Sequence, residues 1–145
     1  MNRGALAYHK PTHDEVLSDI LADSMRSYKI LHETDAYSFV EVILSGTPHG
    51  SYSSLKLVYK GKSPMGDGTT VPLPLTDSTF WGNTYSPDSI TVSEDGKTLV
   101  YTQFFADKLE VTMDPSVPPR LVHEKGTYTY TVDLETGSYT LEIIP

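Results

Sequence analysis

ITVSEDGKTLVY, residues Ile90–Tyr101, decides the class of this fold. Ile90 and Val92 alternate with polar residues ahead of Glu94-Asp95-Gly96-Lys97, and Leu99 and Tyr101 alternate behind it. Alternation of period two on both sides of an Asp-Gly pair is the strongest short-range sign of a β-hairpin. A second hairpin lies at Thr127–Ile144, TYTYTVDLETGSYTLEII. There Tyr128, Tyr130, Val132 and Leu134 share one face, as do Tyr139, Leu141 and Ile143 after the turn Glu135-Thr136-Gly137-Ser138. Gly137 stands where a short hairpin loop needs a left-handed residue.

Upstream, Met1–Lys10 has no period and reads as a loose arm. Thr12-His13-Asp14-Glu15 then forms a capping box, with Thr12 as N-cap and Glu15 reaching back. Val16, Leu17, Ile20, Leu21 and Met25 recur at helical spacing, which predicts an amphipathic helix within residues 12–27. From Tyr28 the period changes to that of strands. Phe39–Leu44 is apolar on both faces apart from Glu41, as a central strand covered on each side would be. In Ser54–Lys60, Leu55, Leu57 and Tyr59 fall on one face, opposite Lys56 and Lys60. Gly61–Pro74 is rich in Gly and Pro and reads as an irregular segment, functional or mobile. Leu109, Val111 and Met113 mark a further short strand, closed by Asp114-Pro115 and Pro118-Pro119. The expectation is a single, mainly β domain of about eight or nine antiparallel strands, residues 28–145, behind one N-terminal helix.

A chain of 145 residues can bury a core without staples, and the absence of cysteine removes disulfides, thiolate metal sites and thiol catalysis. The net charge of −8 falls mostly in the second half, where residues 71–145 carry four Lys/Arg against eleven Asp/Glu. Nucleic acid is therefore not an expected partner, because it demands a basic footprint. No apolar run approaches the roughly 18 residues of a membrane span, and Met1–Lys10 lacks the core of a signal peptide. Either the chain is cytoplasmic or a leader lies outside the sequence given, and the Tyr/Thr/Ser-rich, Lys-poor composition leans toward the second, an exported bacterial domain such as a surface lipoprotein.

VSEDGKTLVY (Val92–Tyr101) resembles the repeat of TolB-like β-propellers, whose blades carry a Ser-x-Asp-Gly turn before an inner strand. YTVDLETGSYTLEI (Tyr130–Ile143) looks like the outer hairpin of such a blade. The resemblance implies blade-like local sheets over residues 90–143. A closed ring is excluded by length, since a blade takes ~40–45 residues and closure at least four blades. A sandwich or curled sheet with the helix on one face is the expected whole.

Each potential site has a simpler competing explanation. His9 and His13 are four apart, but Pro11 lies between them and the helix begins after His9, so they lose the shared face a metal pair needs. His32-Glu33 and His123-Glu124 point to opposite faces of their strands and do not extend to His-Glu-x-x-His. Gly-x-Ser-x-Gly is absent, and Gly61, Gly66 and Gly68 lack the spacing of a phosphate loop. Asp67-Gly68 and Glu94-Asp95-Gly96 are too sparse for calcium. No metal and no cofactor is expected. What remains is recognition. Phe80, Trp81, Tyr85, Phe104 and Phe105 make the most aromatic part of the chain, and Trp81, Tyr85 and Phe105 are the candidate ligand-binding residues, beside the irregular Gly61–Pro74 segment. The expected function is a non-catalytic binding module for a protein, peptide or glycan. A hydrolase using paired carboxylates is one competitor. The other is a structural part of an assembly, joined through an exposed strand edge.

Overall fold

The computed structural model describes residues 9–47, 50–75, 86–105, 108–110, 114–118, 120–123 and 125–145, with backbone alone for 47, 50, 108–110 and 120–123. Helix α1 (His13–Leu21) is followed by β1 (Arg26–Glu33), β2 (Tyr37–Thr47), β3 (Gly50–Tyr59), β4 (Thr70–Leu73), β5 (Ser89–Val92), β6 (Thr98–Phe105), β7 (Lys108–Glu110), β8 (Arg120–His123), β9 (Gly126–Asp133) and β10 (Tyr139–Ile144). One four-stranded sheet runs β1-β2-β3-β4 and a second runs β10-β9-β6-β5, while β7 and β8 form a small separate pair. Every pairing is antiparallel. Neither sheet closes into a barrel or a ring of blades.

The two large sheets face each other. Phe39, Leu55, Leu57, Tyr59 and Leu73 from the first meet Leu99, Tyr101, Phe105, Tyr128, Tyr130 and Val132 from the second in one buried cluster. Phe39 lies against Tyr101 at 5.5 Å between ring centroids, and Tyr101 stacks on Tyr130 at 4.7 Å. Helix α1 covers the outer face of the first sheet, where Leu17 and Ile20 pack on Val40, Val42 and Val58. β2 is thus buried on both faces, as its nearly unbroken apolar run requires.

The capping box forms as read. The Glu15 amide donates to Thr12 Oγ1 and the Thr12 amide donates to Glu15 Oε1. The helix is nine residues long, however, and stops well short of residue 27. The Ala22 amide bonds back to Asp19 O, tightening the last turn. Asp23 Oδ1 then accepts from the Met25 amide, and Asp23 O from that of Arg26. A side-chain acceptor two residues back offers the backbone a turn in place of a further helical bond. Leu21 and Met25, assigned by spacing to the apolar face, are consequently exposed.

Both hairpins are present. Gly96 and Gly137 take positive φ, 74° and 77°, whereas no non-glycine residue among those described does. With Asp95 at negative φ, the first loop is not the primed two-residue turn that an Asp-Gly pair commonly makes. The Gly96 amide closes on Ser93 O, Asp95 Oδ1 accepts from Ser93 Oγ and the Lys97 amide, and pairing resumes at Ser93–Thr98. The second loop is tied to the opposite sheet. A Cβ at Gly137 would lie 2.8 Å from Val71 Cγ2 of β4, and Tyr59 Oη donates to Leu134 O at 2.8 Å across the sandwich.

Burial raises the Tyr59 hydroxyl to about 12, and it pushes that of Tyr101 up as well. A hydroxyl whose folded value is raised stabilises the fold fully below its unfolded value and loses that contribution as pH climbs toward the folded one. Tyr59→Phe is expected to cost about 1–3 kcal/mol at neutral pH, since it leaves Leu134 O buried without its donor. The gap between wild type and variant narrows as pH rises from about 10 toward the folded value. Urea unfolding across that range checks both statements.

Candidate functional site

Trp81 and Tyr85, two of the three residues assigned to a contact surface, lie outside the described residues, as does Phe80. Phe105 is placed in the core at 5% exposure, edge to face with Tyr128 at 5.5 Å. Strand alternation sends its neighbour Phe104 outward instead, at 58% exposure. Two other features of the described residues hold chemistry: a polar pocket at the start of α1, and the outer edge of β10.

The pocket is open, about 520 Å³, and lined by Thr12, His13, Asp14, Glu33, Lys60 and Asp67. It exists because the irregular loop after β3 lies against the helix start. Gly68 approaches so closely that a Cβ there would meet Pro11 O at 1.8 Å, and Asp67 Oδ1 accepts from the His13 amide at 3.2 Å. One hydrogen-bonded chain runs beneath it. Lys60 Nζ pairs with Glu33 Oε2 at 3.2 Å, and Ser38 Oγ donates to the same oxygen at 2.9 Å. His13 Nε2 lies 2.9 Å from Ser38 Oγ, and His13 Nδ1 lies 2.8 Å from Asp14 Oδ1. Ser38 has one proton, and it goes to Glu33, so His13 Nε2 is the donor to Ser38 Oγ.

The order Asp14, His13, Ser38 has the connectivity of an acyl-transfer triad, but not its working state. Ser38 has 0% exposure and its proton already serves Glu33, so this oxygen meets no acyl group. Glu33 is held below the ordinary carboxylate range, first by the Ser38 hydroxyl and then by Lys60. A carboxyl so held stays charged, the opposite of what a general acid needs. His9 turns away to Glu15, at 3.1 Å, so the two histidines share no ligand position. The pocket's visible work is mechanical: it clasps the first turn of α1 to β1, β2 and the loop after β3.

The second sheet ends differently. β10 pairs with β9 from Tyr139↔Val132 to Ile144↔Thr127 and has no described neighbour on its other side. The Asp133 amide donates to Ser138 O, which fixes the phase of the ladder. Antiparallel pairs alternate between bonded and non-bonded. Thr140, Glu142 and Ile144 therefore turn their amides and carbonyls to β9, and Tyr139, Leu141 and Ile143 turn theirs to the open edge. The same three side chains lie on the face that elsewhere forms the core, yet the opposing sheet does not cover them. They are 39–48% exposed.

The other three edges of the two large sheets are guarded. β1 carries Arg26, Lys29 and Glu33 and a bulge between Ile30 and His32. β4 is four residues long with Pro72 inside it, and β5 is four residues long. Charge, bulges, proline and brevity are the usual protections of a sheet edge. β10 has six residues, a regular register, no proline between its ends and the single charge of Glu142. The sequence displayed the alternation of β10 but gave no sign that its apolar face would lie beyond the opposite sheet.

A depressed carboxyl stabilises the fold above its unfolded value and loses that contribution as pH falls through the folded one. Wild type is accordingly expected to lose more stability than Glu33→Gln as pH falls below about 4.3. Denaturant titrations of both proteins across that range provide the check, with equal acid slopes counting against the clasp.

Among the described residues no helix is long and apolar enough to cross a membrane. Comparison of the chain with protein-family models, characterised proteins and solved structures finds no match.

Proposed function

We propose that this protein is a non-catalytic interaction module that binds an extended polypeptide as an added strand along β10. The observation carrying this reading is the unguarded edge. Tyr139, Leu141 and Ile143 offer backbone groups with no described partner and apolar side chains together, while the three other edges of the two large sheets are blocked. Strand addition draws affinity from main-chain hydrogen bonds and specificity from alternate side chains. The partner segment accordingly carries apolar residues at every second position, to continue the half-covered stripe. The net charge of −8 argues against a polyanionic ligand. The polar pocket supports a hydrolase less well, because its serine is enclosed and Glu33 is held in its charged form.

Selection of short random peptides displayed on phage tests the reading. Retained sequences should alternate apolar and polar residues, and adding one should slow amide exchange at Leu141 and Ile143, which is expected to be fast in the peptide-free monomer. Amides of Thr140 and Glu142 should be slow throughout. Leu141→Pro removes an outward N–H while leaving the β9 ladder bonded, a position where edge strands tolerate proline. It should weaken peptide binding at least about tenfold, the effect of losing roughly one well-made hydrogen bond. Peptides that bind Leu141→Pro undiminished would place recognition elsewhere.

A further inference from the structure

Building on the β10 reading, we infer that the strand β10 accepts is the β10 of a second copy of this chain, giving a two-fold dimer with a continuous sheet across its axis. Register favours this partner. Partners in an antiparallel pair share a face, so self-pairing must match odd positions with odd and even with even. Centring on Leu141 sets Leu141 against its own copy, Tyr139 against Ile143, and Thr140 against Glu142. The outward-facing residues are Tyr139, Leu141 and Ile143, and in this register all of them become bonded pairs, about six main-chain hydrogen bonds in total. Each Glu142 carboxylate meets a threonine hydroxyl that can donate to it, and the two carboxylates stay on a diagonal about 7–8 Å apart.

The neighbouring registers are poorer. Centring on Glu142 places the two carboxylates directly opposite in the closely spaced, non-bonded position and leaves Tyr139 facing Pro145, which has no amide to give. Centring on Thr140 strips Ile143 of its partner. One register therefore combines the most hydrogen bonds, the apolar stripe paired with itself and the acid paired with a donor. A strand chosen without regard to self-pairing has no reason to satisfy all three. The paired Tyr139, Leu141 and Ile143 side chains join across the axis, continuing the core face that the opposing sheet leaves bare. Each copy brings a net charge of −8, so the dimer should tighten as salt rises.

Sedimentation equilibrium of the full chain at physiological salt, from about 1 µM to 1 mM, reads the outcome by mass action. The expected mass moves from 16.1 kDa toward twice that value, with amide protection at Tyr139, Leu141 and Ile143 rising in step. Leu141→Lys, which sets two cations opposite each other and leaves the strand intact, should remain monomeric. Thr140→Lys places an ammonium opposite each Glu142 and should lower the dimer dissociation constant roughly two- to tenfold. Ser18→Lys, with the same charge change on α1, should not match that gain. A protein monomeric throughout overturns the second-copy assignment and leaves the peptide test of the β10 edge to stand on its own. Dimers that survive both Leu141→Lys and Leu141→Pro overturn pairing through β10, whatever the peptide selection returns. Equal gains from Thr140→Lys and Ser18→Lys overturn the Leu141-centred register.

Discussion

Burial of β2 on both faces is the constraint on which the rest of this molecule depends. Phe39 points into the sandwich against Tyr101, while Val40 and Val42, on the other face, lie beneath Leu17 and Ile20 of α1. A strand apolar on two sides is stable only if something covers each side, and with one helix and two sheets available the layer order follows. Ser38 shares the helix-facing side, which is why a serine, a histidine and a glutamate had to be wired together at the helix start. A buried hydroxyl without a partner costs about 1–3 kcal/mol, and the chain His13–Ser38–Glu33–Lys60 removes that cost.

The opposite sheet illustrates an incomplete solution of the same problem. Its inner strands, β6 and β9, present Tyr101, Tyr128, Tyr130 and Val132 to the interior. β10 continues that face with Tyr139, Leu141 and Ile143 but extends beyond the cover. It is nevertheless firmly placed, because the turn before it is pinned twice to the first sheet, by Tyr59 on Leu134 and by the close seating of Gly137 on Val71. A rigid edge loses little entropy on accepting a strand, whereas a loose one must be ordered first. The arrangement thus combines an unpaired edge with a preorganised one.

Much of the fold was legible in the residues, and the parts that were not share a cause. Local signals carried the capping box at Thr12 and Glu15, the glycine turns at Gly96 and Gly137, and the two-sided character of β2, because each depends on neighbours a few positions apart. The end of α1 does not follow from apolar spacing, because Asp23 competes for the backbone, a side-chain effect that such spacing does not register. Clustering of aromatics beside the irregular Gly61–Pro74 segment points to Phe105 as a contact residue, but says nothing of the way its side chain faces. Only the phase of β6 against β9, fixed by pairs such as Tyr101↔Tyr130 and Phe105↔Gly126, sends it inward and Phe104 outward.

The β10 edge was hidden for a deeper reason. Tyr128, Tyr130 and Val132 on β9 have the same alternation as Tyr139, Leu141 and Ile143 on β10, and the two sets lie opposite each other on one face. One set is buried and the other is not. The difference lies in how far the first sheet reaches across the second, a property of residues more than sixty positions away, such as Leu57 and Val71. Periodicity reveals which face of a strand is meant to be covered. It does not reveal whether the cover comes from the same chain, and on β10 an apolar face left half covered coincides with a hydrogen-bonding edge that has no described neighbour, the combination that strand addition requires.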